Sequence, residues 1–249
     1  MKLSVDLNAD LGEGVASEHE LLPLISSASI ACGLHAGDPS TMEASIRAAQ
    51  ATGVAVGAHP SLNDRKNFGR TELPVSPAEV FALVVFQLGA FQAIASSLGE
   101  KPRHLKLHGA LYNMAARDHA IAEAAVQAVV AVDRSLVLFC PGASVLADAG
   151  AARQLRIARE VFADRNYLPD GSLVPRTRTD ALFHDPEAAA SRVLRMLQEK
   201  IVVAIDGTEL PIEAETVCVH GDTPEAVLFA RQLRAHLTAA GISIAAVSA

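Results

Sequence analysis

Tryptophan is missing from this chain, tyrosine occurs only twice, and aromatic residues make up 4% of the 249 positions. No run of lysine or arginine appears and the net charge is −7, so a face built for phosphate backbones is excluded and nucleic acid is a poor partner. Cysteine is scarce: Cys32, Cys140 and Cys218 lie far apart in apolar runs with no CxxC pair, which rules out a disulfide scaffold and suits a reducing cytoplasm. Cysteines so placed usually pack rather than react. The first residues carry no apolar signal core, and no apolar stretch reads as the roughly 20 residues that cross a bilayer, so the expectation is a soluble cytoplasmic protein with no membrane partner. There is no GxSxG, no phosphate-binding loop and no dinucleotide fingerprint, so any ATP chemistry would lack its usual cradle here. Low-complexity tracts and fixed-period repeats are also missing.

What is present is a 50% apolar chain in which short strand-like runs alternate with helical spacing. The runs are 3–7, 28–32, 54–58, 104–108, 136–140, 156–160, 216–220 and 242–246. Helices are expected at about 39–52, 77–98, 117–132, 142–152, 186–199 and 223–240. Asp38-Pro39-Ser40, Ser76-Pro77 with Glu79, Asp185-Pro186-Glu187 and Thr223-Pro224-Glu225 are start signals; Gly53, Gly99 and Gly241 are stops. Seven or eight strand–helix units without an evident linker predict one domain over 1–249, a single-domain parallel β/α barrel of distorted TIM-like form rather than an open doubly wound sheet. The stretches 165–183 and 202–215 read as insertions, the second as a hairpin with Asp206-Gly207 at its tip.

Polar side chains gather where the strands end. Asp6, Asn8, Asp10 and Glu13 follow the first; Cys32, His35 and Asp38 the second; His59 the third; Lys106 and His108 sit at the fourth, Glu160, Asp164 and Arg165 after the sixth, His220 and Asp222 after the seventh. In a β/α barrel these positions share the C-terminal rim, where active sites are built. Asp6, Asn8 and Asp10 alternate with Val5 and Leu7, so their side chains share one face; they are either first-contact carboxylates or a strand end fraying into solvent. Two histidines, His35 and His59, with Asp6 supply the two-histidine, one-carboxylate composition of a divalent metal site, although neutral histidines acting as donors or bases fit equally well. Lys106 alternates with leucines and needs an anion, either Asp6 or Asp10 or a substrate oxygen. Asp222 in "HGD" can simply cap the following helix.

Seven motifs then occur in order: "DLNADLGEG" (6–14), "ACGLHAGD" (31–38), "GAHPS" with "FGR" (57–70), "KLHGALYN" (106–113), "EVFADRNY" (160–167), "LVPR" (173–176) and "VHGD" (219–222). Together they resemble the LamB/YcsF family over nearly the whole chain. The resemblance implies a seven-stranded distorted barrel akin to glycoside hydrolase and deacetylase barrels, with 242–246 outside it. It further implies the role of the A component of bacterial 5-oxoprolinase, opening 5-oxo-L-proline to L-glutamate at the expense of ATP, together with partner subunits B and C. Site candidates carried by position are Asp10, Glu13, His35, His59, Lys106, His108 and Asp222. Two departures stand out: Ser29 replaces an asparagine common before "IAC", and Leu62-Asn63 replaces an aromatic and a proline after "HPS". The rival readings are a metal-dependent deacetylase or glycosidase on a related barrel, and a non-catalytic protein that binds a small acid within a larger complex.

Overall fold

The protein is described by a computed structural model covering residues 3–220 and 226–248. Seven parallel strands close into a barrel: β1 (Ser4–Leu11), β2 (Ser27–Ala31), β3 (Ala55–His59), β4 (His104–Lys106), β5 (Val137–Pro141), β6 (Arg156–Phe162) and β9 (Thr216–Val219). Closure is made by β1, which pairs with β2 from Asn8↔Ser27 and with β9 from Asp6↔Thr216. All barrel pairings are parallel, so every strand delivers its last residues to the same mouth.

Helices α2 (Pro39–Thr52), α3 (Pro77–Ser97), α4 (Gly109–Arg117), α5 (His119–Val132), α6 (Val145–Ala152), α7 (Pro186–Gln198) and α8 (Ala226–Ala239) accompany the strands. The start signals operate through their side chains. Asp38 accepts from the Thr41 amide, Ser76 and Glu79 form a capping box, and Asp185 accepts from two first-turn amides. Gly53 stops α2 at φ +71°, a left-handed conformation that costs glycine nothing. A short helix α1 (Glu18–Leu21), the helix α4 and two 3-10 turns are additions to the expected pattern. Helix α4 begins on a glycine, a residue that ordinarily argues against a helix interior.

Two strands lie off the barrel, β7 (Ile201–Val203) and β8 (Glu209–Pro211), forming the expected antiparallel hairpin. A tenth, β10 (Ser243–Ile244), pairs with Ser4 and Val5 below the closed ring, as the family resemblance implied. The 165–183 insertion is more ordered than its polarity suggests: bridges Arg165↔Leu182 and Tyr167↔Leu173 fold it over the rim and bury Tyr167 and Val174.

Period-two alternation in β1 sends Val5, Leu7, Ala9 and Leu11 outward into the main apolar core beneath the helices. Burying each such leucine removes it from water for roughly 1.5–3 kcal/mol. The opposite face, Asp6, Asn8 and Asp10, points into the barrel and is also buried. Strand β1 therefore runs to Leu11, and its carboxylates are interior residues rather than a frayed end. One membrane expectation needs correcting. Helix α3, with 21 residues and mean hydropathy 1.7, is long and apolar enough by length and composition to cross a bilayer. Here Val80, Val84, Leu88 and Phe91 pack into the core, while buried Gln87 bonds the main chain of Ser61 on both sides.

Candidate active site at the mouth of the barrel

Seen from the bottom upward, the barrel interior is a stack of paired polar groups. At the lowest level Asp6 accepts from Ser26 (2.6 Å), Ser27 (2.7 Å) and Thr216 (2.5 Å). Burial raises its carboxyl above the ordinary range, against the pull of these three hydroxyls. Beside it, His104 stacks on Phe139 with ring centroids 4.2 Å apart and its Nε2 lies 3.1 Å from Ser29 Oγ. Ser29 thus holds the His104 ring in place. A Cβ on Gly57 would collide with that ring, which is why β3 has a glycine there.

One level up, Lys106 is 2% exposed. Its Nζ lies 2.5 Å from Asp10 Oδ1, 2.8 Å from Asn8 Oδ1, 3.2 Å from Glu160 Oε1 and 3.3 Å from Cys218 Sγ. Burial opposes the ammonium, but Asp10, the Cys218 thiol and Glu160 outweigh it and hold the lysine well above its usual value. Asn8 links this level to β6 and β9 by donating to Glu160 (3.0 Å) and Thr216 (2.7 Å). Of the two roles open to Lys106, it therefore has its anion in the protein, at Asp10 and not at Asp6.

The top level faces the mouth. Asp10 Oδ2 is 3.4 Å from His59 Nε2. Burial disfavours its charge, yet His59 and Lys106 prevail and keep the carboxyl well below the usual carboxylate range. His59 Nδ1 donates to the Lys106 carbonyl (2.7 Å), and His108 Nε2 donates to the Phe68 carbonyl (2.8 Å). The facing nitrogens, His59 Nε2 and His108 Nδ1, are 2.9 Å apart. His35 stacks on His108 at 3.8 Å and 6°, and its Nε2 meets Glu13 Oε1 at 3.1 Å. Burial, with His59 nearby, lowers His35 to about 3, and burial with His59 and His35 close by depresses His108. On the other flank His220 Nδ1 sits 2.9 Å from Asp164, and its ring stacks on Phe162. Among the described residues, ligand atoms of Asp10, Cys218 and His220 fall within 4.8 Å of one another, as do those of Glu13, His35, His59 and His108.

Asp10, Glu13, His35, His59, Lys106 and His108 thus share one mouth, whereas Asp222 lies outside the described residues. The metal expectation built on Asp6 with His35 and His59 is not met by the geometry. Asp6 sits two levels lower, saturated by hydroxyls, because β1 carries its inward side chains down the whole barrel rather than presenting them at the rim. Sequence reasoning places Asn8, Glu160, Asp164 and His220 at the strand ends but does not pair them and passes over Thr216; all five belong to the interior stack. The alternation Thr216, Cys218, His220 at β9 is the signal that marks the last strand's inward face.

A closed seven-stranded β/α barrel with a charged interior opening at its C-terminal rim is the class these features define. The LamB/YcsF family model matches residues 5–249, and the chain belongs to that family. It is 42% identical to a lactam utilization protein from Thermus thermophilus, covering 98% of this chain and 100% of that one with a TM-score of 0.92. A peptidoglycan deacetylase from Bacillus subtilis shares the fold at 12% identity and a TM-score of 0.50, over 99% of this chain and 88% of the other.

Proposed function

We propose that the protein is the A component of an ATP-dependent 5-oxoprolinase, opening the lactam of 5-oxo-L-proline to L-glutamate with partner subunits B and C. Family membership and the Thermus lactam utilization relative support a hydrolase acting on a cyclic amide. The observation that carries the reading is the buried Asp10–Lys106 ion pair at 2.5 Å, set at the mouth between two histidines, His59 and His220.

A five-membered lactam is a resonance-stabilised amide, and phosphorylation of its oxygen by ATP supplies the activation. ATP is held by the complex, since this chain has no usual nucleotide cradle. Opening then needs a base for water, a proton for the departing nitrogen and positive charge near the oxygen. Asp10, ionised throughout the neutral range, takes the proton from the attacking water. Lys106 balances the charge that develops beside it. His220, whose Nδ1 is engaged by Asp164, gives the departing ring nitrogen its proton as the C–N bond breaks, and the γ-glutamyl phosphate so formed takes a second water, which releases inorganic phosphate and leaves L-glutamate.

The test is reconstitution with subunits B and C, measuring glutamate release from 5-oxoproline with each of the three proteins omitted in turn. Activity should require all three. Asp10→Asn should abolish turnover while the chain keeps its place in the complex. Wild-type turnover by Asp10→Asn, or full activity without this chain, would overturn the assignment.

A further inference from the structure

The two ring nitrogens that face each other across the top level pose a chemical problem. A carbonyl oxygen can only accept, so the Lys106 carbonyl fixes the proton of His59 on Nδ1, and the Phe68 carbonyl fixes that of His108 on Nε2. With both rings neutral, His59 Nε2 and His108 Nδ1 therefore present lone pairs to each other at 2.9 Å, and only a second proton on His59, whose Nε2 also lies 3.4 Å from Asp10 Oδ2, would avoid this. Two lone pairs at that distance repel unless an electrophile joins them. Glu13 Oε1 lies 3.6 Å from the same His108 nitrogen, and its side chain is 3% exposed. Asp10 and Glu160 already share the Lys106 ammonium below, whereas Glu13 faces the histidines at this level.

We propose that His59 Nε2, His108 Nδ1 and Glu13 bind one divalent transition-metal ion as a two-histidine, one-carboxylate set, leaving coordination positions open for water or substrate. Ligands about 2.0–2.1 Å from a tetrahedral ion lie about 3.3–3.4 Å from each other, and the 2.9 Å and 3.6 Å separations bracket that edge. The imidazole and carboxylate composition suits Zn²⁺, Fe²⁺, Co²⁺ or Mn²⁺ rather than Ca²⁺. Each ligating ring gives its other N–H to a main-chain carbonyl, the arrangement that orients metal-bound histidines.

His35 is excluded from the set by ring geometry, even though it belongs to the same cluster. A ligating lone pair lies in the plane of its ring. The His35 and His108 rings are stacked, their planes within 6° of parallel and their centroids 3.8 Å apart, so an ion in the plane of one lies outside the plane of the other. The His59 and His108 planes cross at 85°, so a single point can lie in both. His35 instead backs His108 and holds Glu13 at 3.1 Å. The inference concerns the chain alone and stands whatever its substrate.

The experiment uses the purified full chain, stripped with chelator and titrated with Co²⁺, read by visible absorption, metal analysis and melting temperature. One cobalt per chain with ligand-field bands and a raised melting temperature is expected. Losing even an outer partner of a metal site costs about 10–100-fold in affinity, so Glu13→Gln and His108→Ala should weaken Co²⁺ binding by at least about that much. Glu13→Gln keeps side-chain volume, and it serves if the histidine variant does not fold. His35→Phe, which preserves the stack but loses the hydrogen bond to Glu13, should keep the bands and one cobalt per chain at saturating metal with a smaller loss of affinity than Glu13→Gln, and Asp6→Asn should bind as the wild type does. No uptake by the wild type, with ¹⁵N spectra showing a proton shared between His59 and His108, would overturn the proposal. So would loss of cobalt in His35→Phe equal to that in Glu13→Gln.

Discussion

Replacing Lys106 by methionine tests whether the barrel interior is held by charge. The substitution keeps an unbranched stem, one atom shorter, and removes the ammonium, with its contacts to Asp10 (2.5 Å), Asn8 (2.8 Å) and Glu160 (3.2 Å). At an effective dielectric of about 20, the two ion pairs have gross Coulomb energies of roughly 7 and 5 kcal/mol. Most of that is offset by the desolvation of three buried ions, and removing one partner of a buried pair costs about 3–5 kcal/mol, because the remaining charge is stranded. For a chain of this size each kcal/mol moves the melting temperature by about 2–4 °C, so Lys106→Met should melt about 6–20 °C below the wild type in a thermal scan followed by circular dichroism. Adding Glu160→Gln to Lys106→Met should recover part of the loss by removing one of the stranded carboxylates. A single variant that melts with the wild type, or a double variant that melts lower than the single, would refute the view that this lysine neutralises the interior.

Two further outcomes follow from the interior contacts. Burial opposes ionisation of Asp164, but His220 and Arg176 win, and its carboxyl stays below the ordinary value. A carboxyl depressed in the folded state stabilises above its unfolded pKa of about 3.9 and loses that contribution as pH falls through the folded value. Asp164→Asn should thus be less stable than wild type in urea at neutral pH, with the gap closing as pH falls below about 4; a gap that is constant or widens in acid contradicts the pairing. Gly57→Ala drives a methyl group into the His104 ring and should destabilise by about 1–3 kcal/mol, a loss that His104→Ala in the same chain should reduce, as measured by chemical denaturation.

The alternation of strand and helix, the capping residues and the hairpin are readable in sequence because each is a local signal: Ser76 with Glu79, Gly53, and Asp206-Gly207 act within a few residues. That several polar residues meet at one mouth is readable too, because parallel strands have only one common end. Depth is not. Asp6 and Asp10 look alike in sequence, both acids two residues from Asn8, yet one is sealed among hydroxyls and the other meets Lys106 and His59. What separates them is the stagger of β1 against β2 and β9, a register that no single strand encodes. The apolar length of α3 also escapes inspection, because Glu79 and Gln87 interrupt the run for the eye but barely lower its mean. The chemical identity of the histidine cluster depends on contacts 40 and 47 residues distant in the chain, His108 to Phe68 and His59 to Lys106, which sequence spacing does not reveal.

Both oxygens that set the proton positions on His59 and His108 belong to the main chain, one to Lys106 and the other to Phe68. Side-chain exchange at either residue leaves its peptide oxygen in place. Phe68 has φ +55° and Gly69 φ +65°, and the Gly69 oxygen would stand 2.5 Å from a Cβ on Gly109, so the path of this turn is fixed by two glycines in contact. The electronic state of the two imidazoles is consequently inherited from the course of the backbone, and it changes only when that turn is rebuilt.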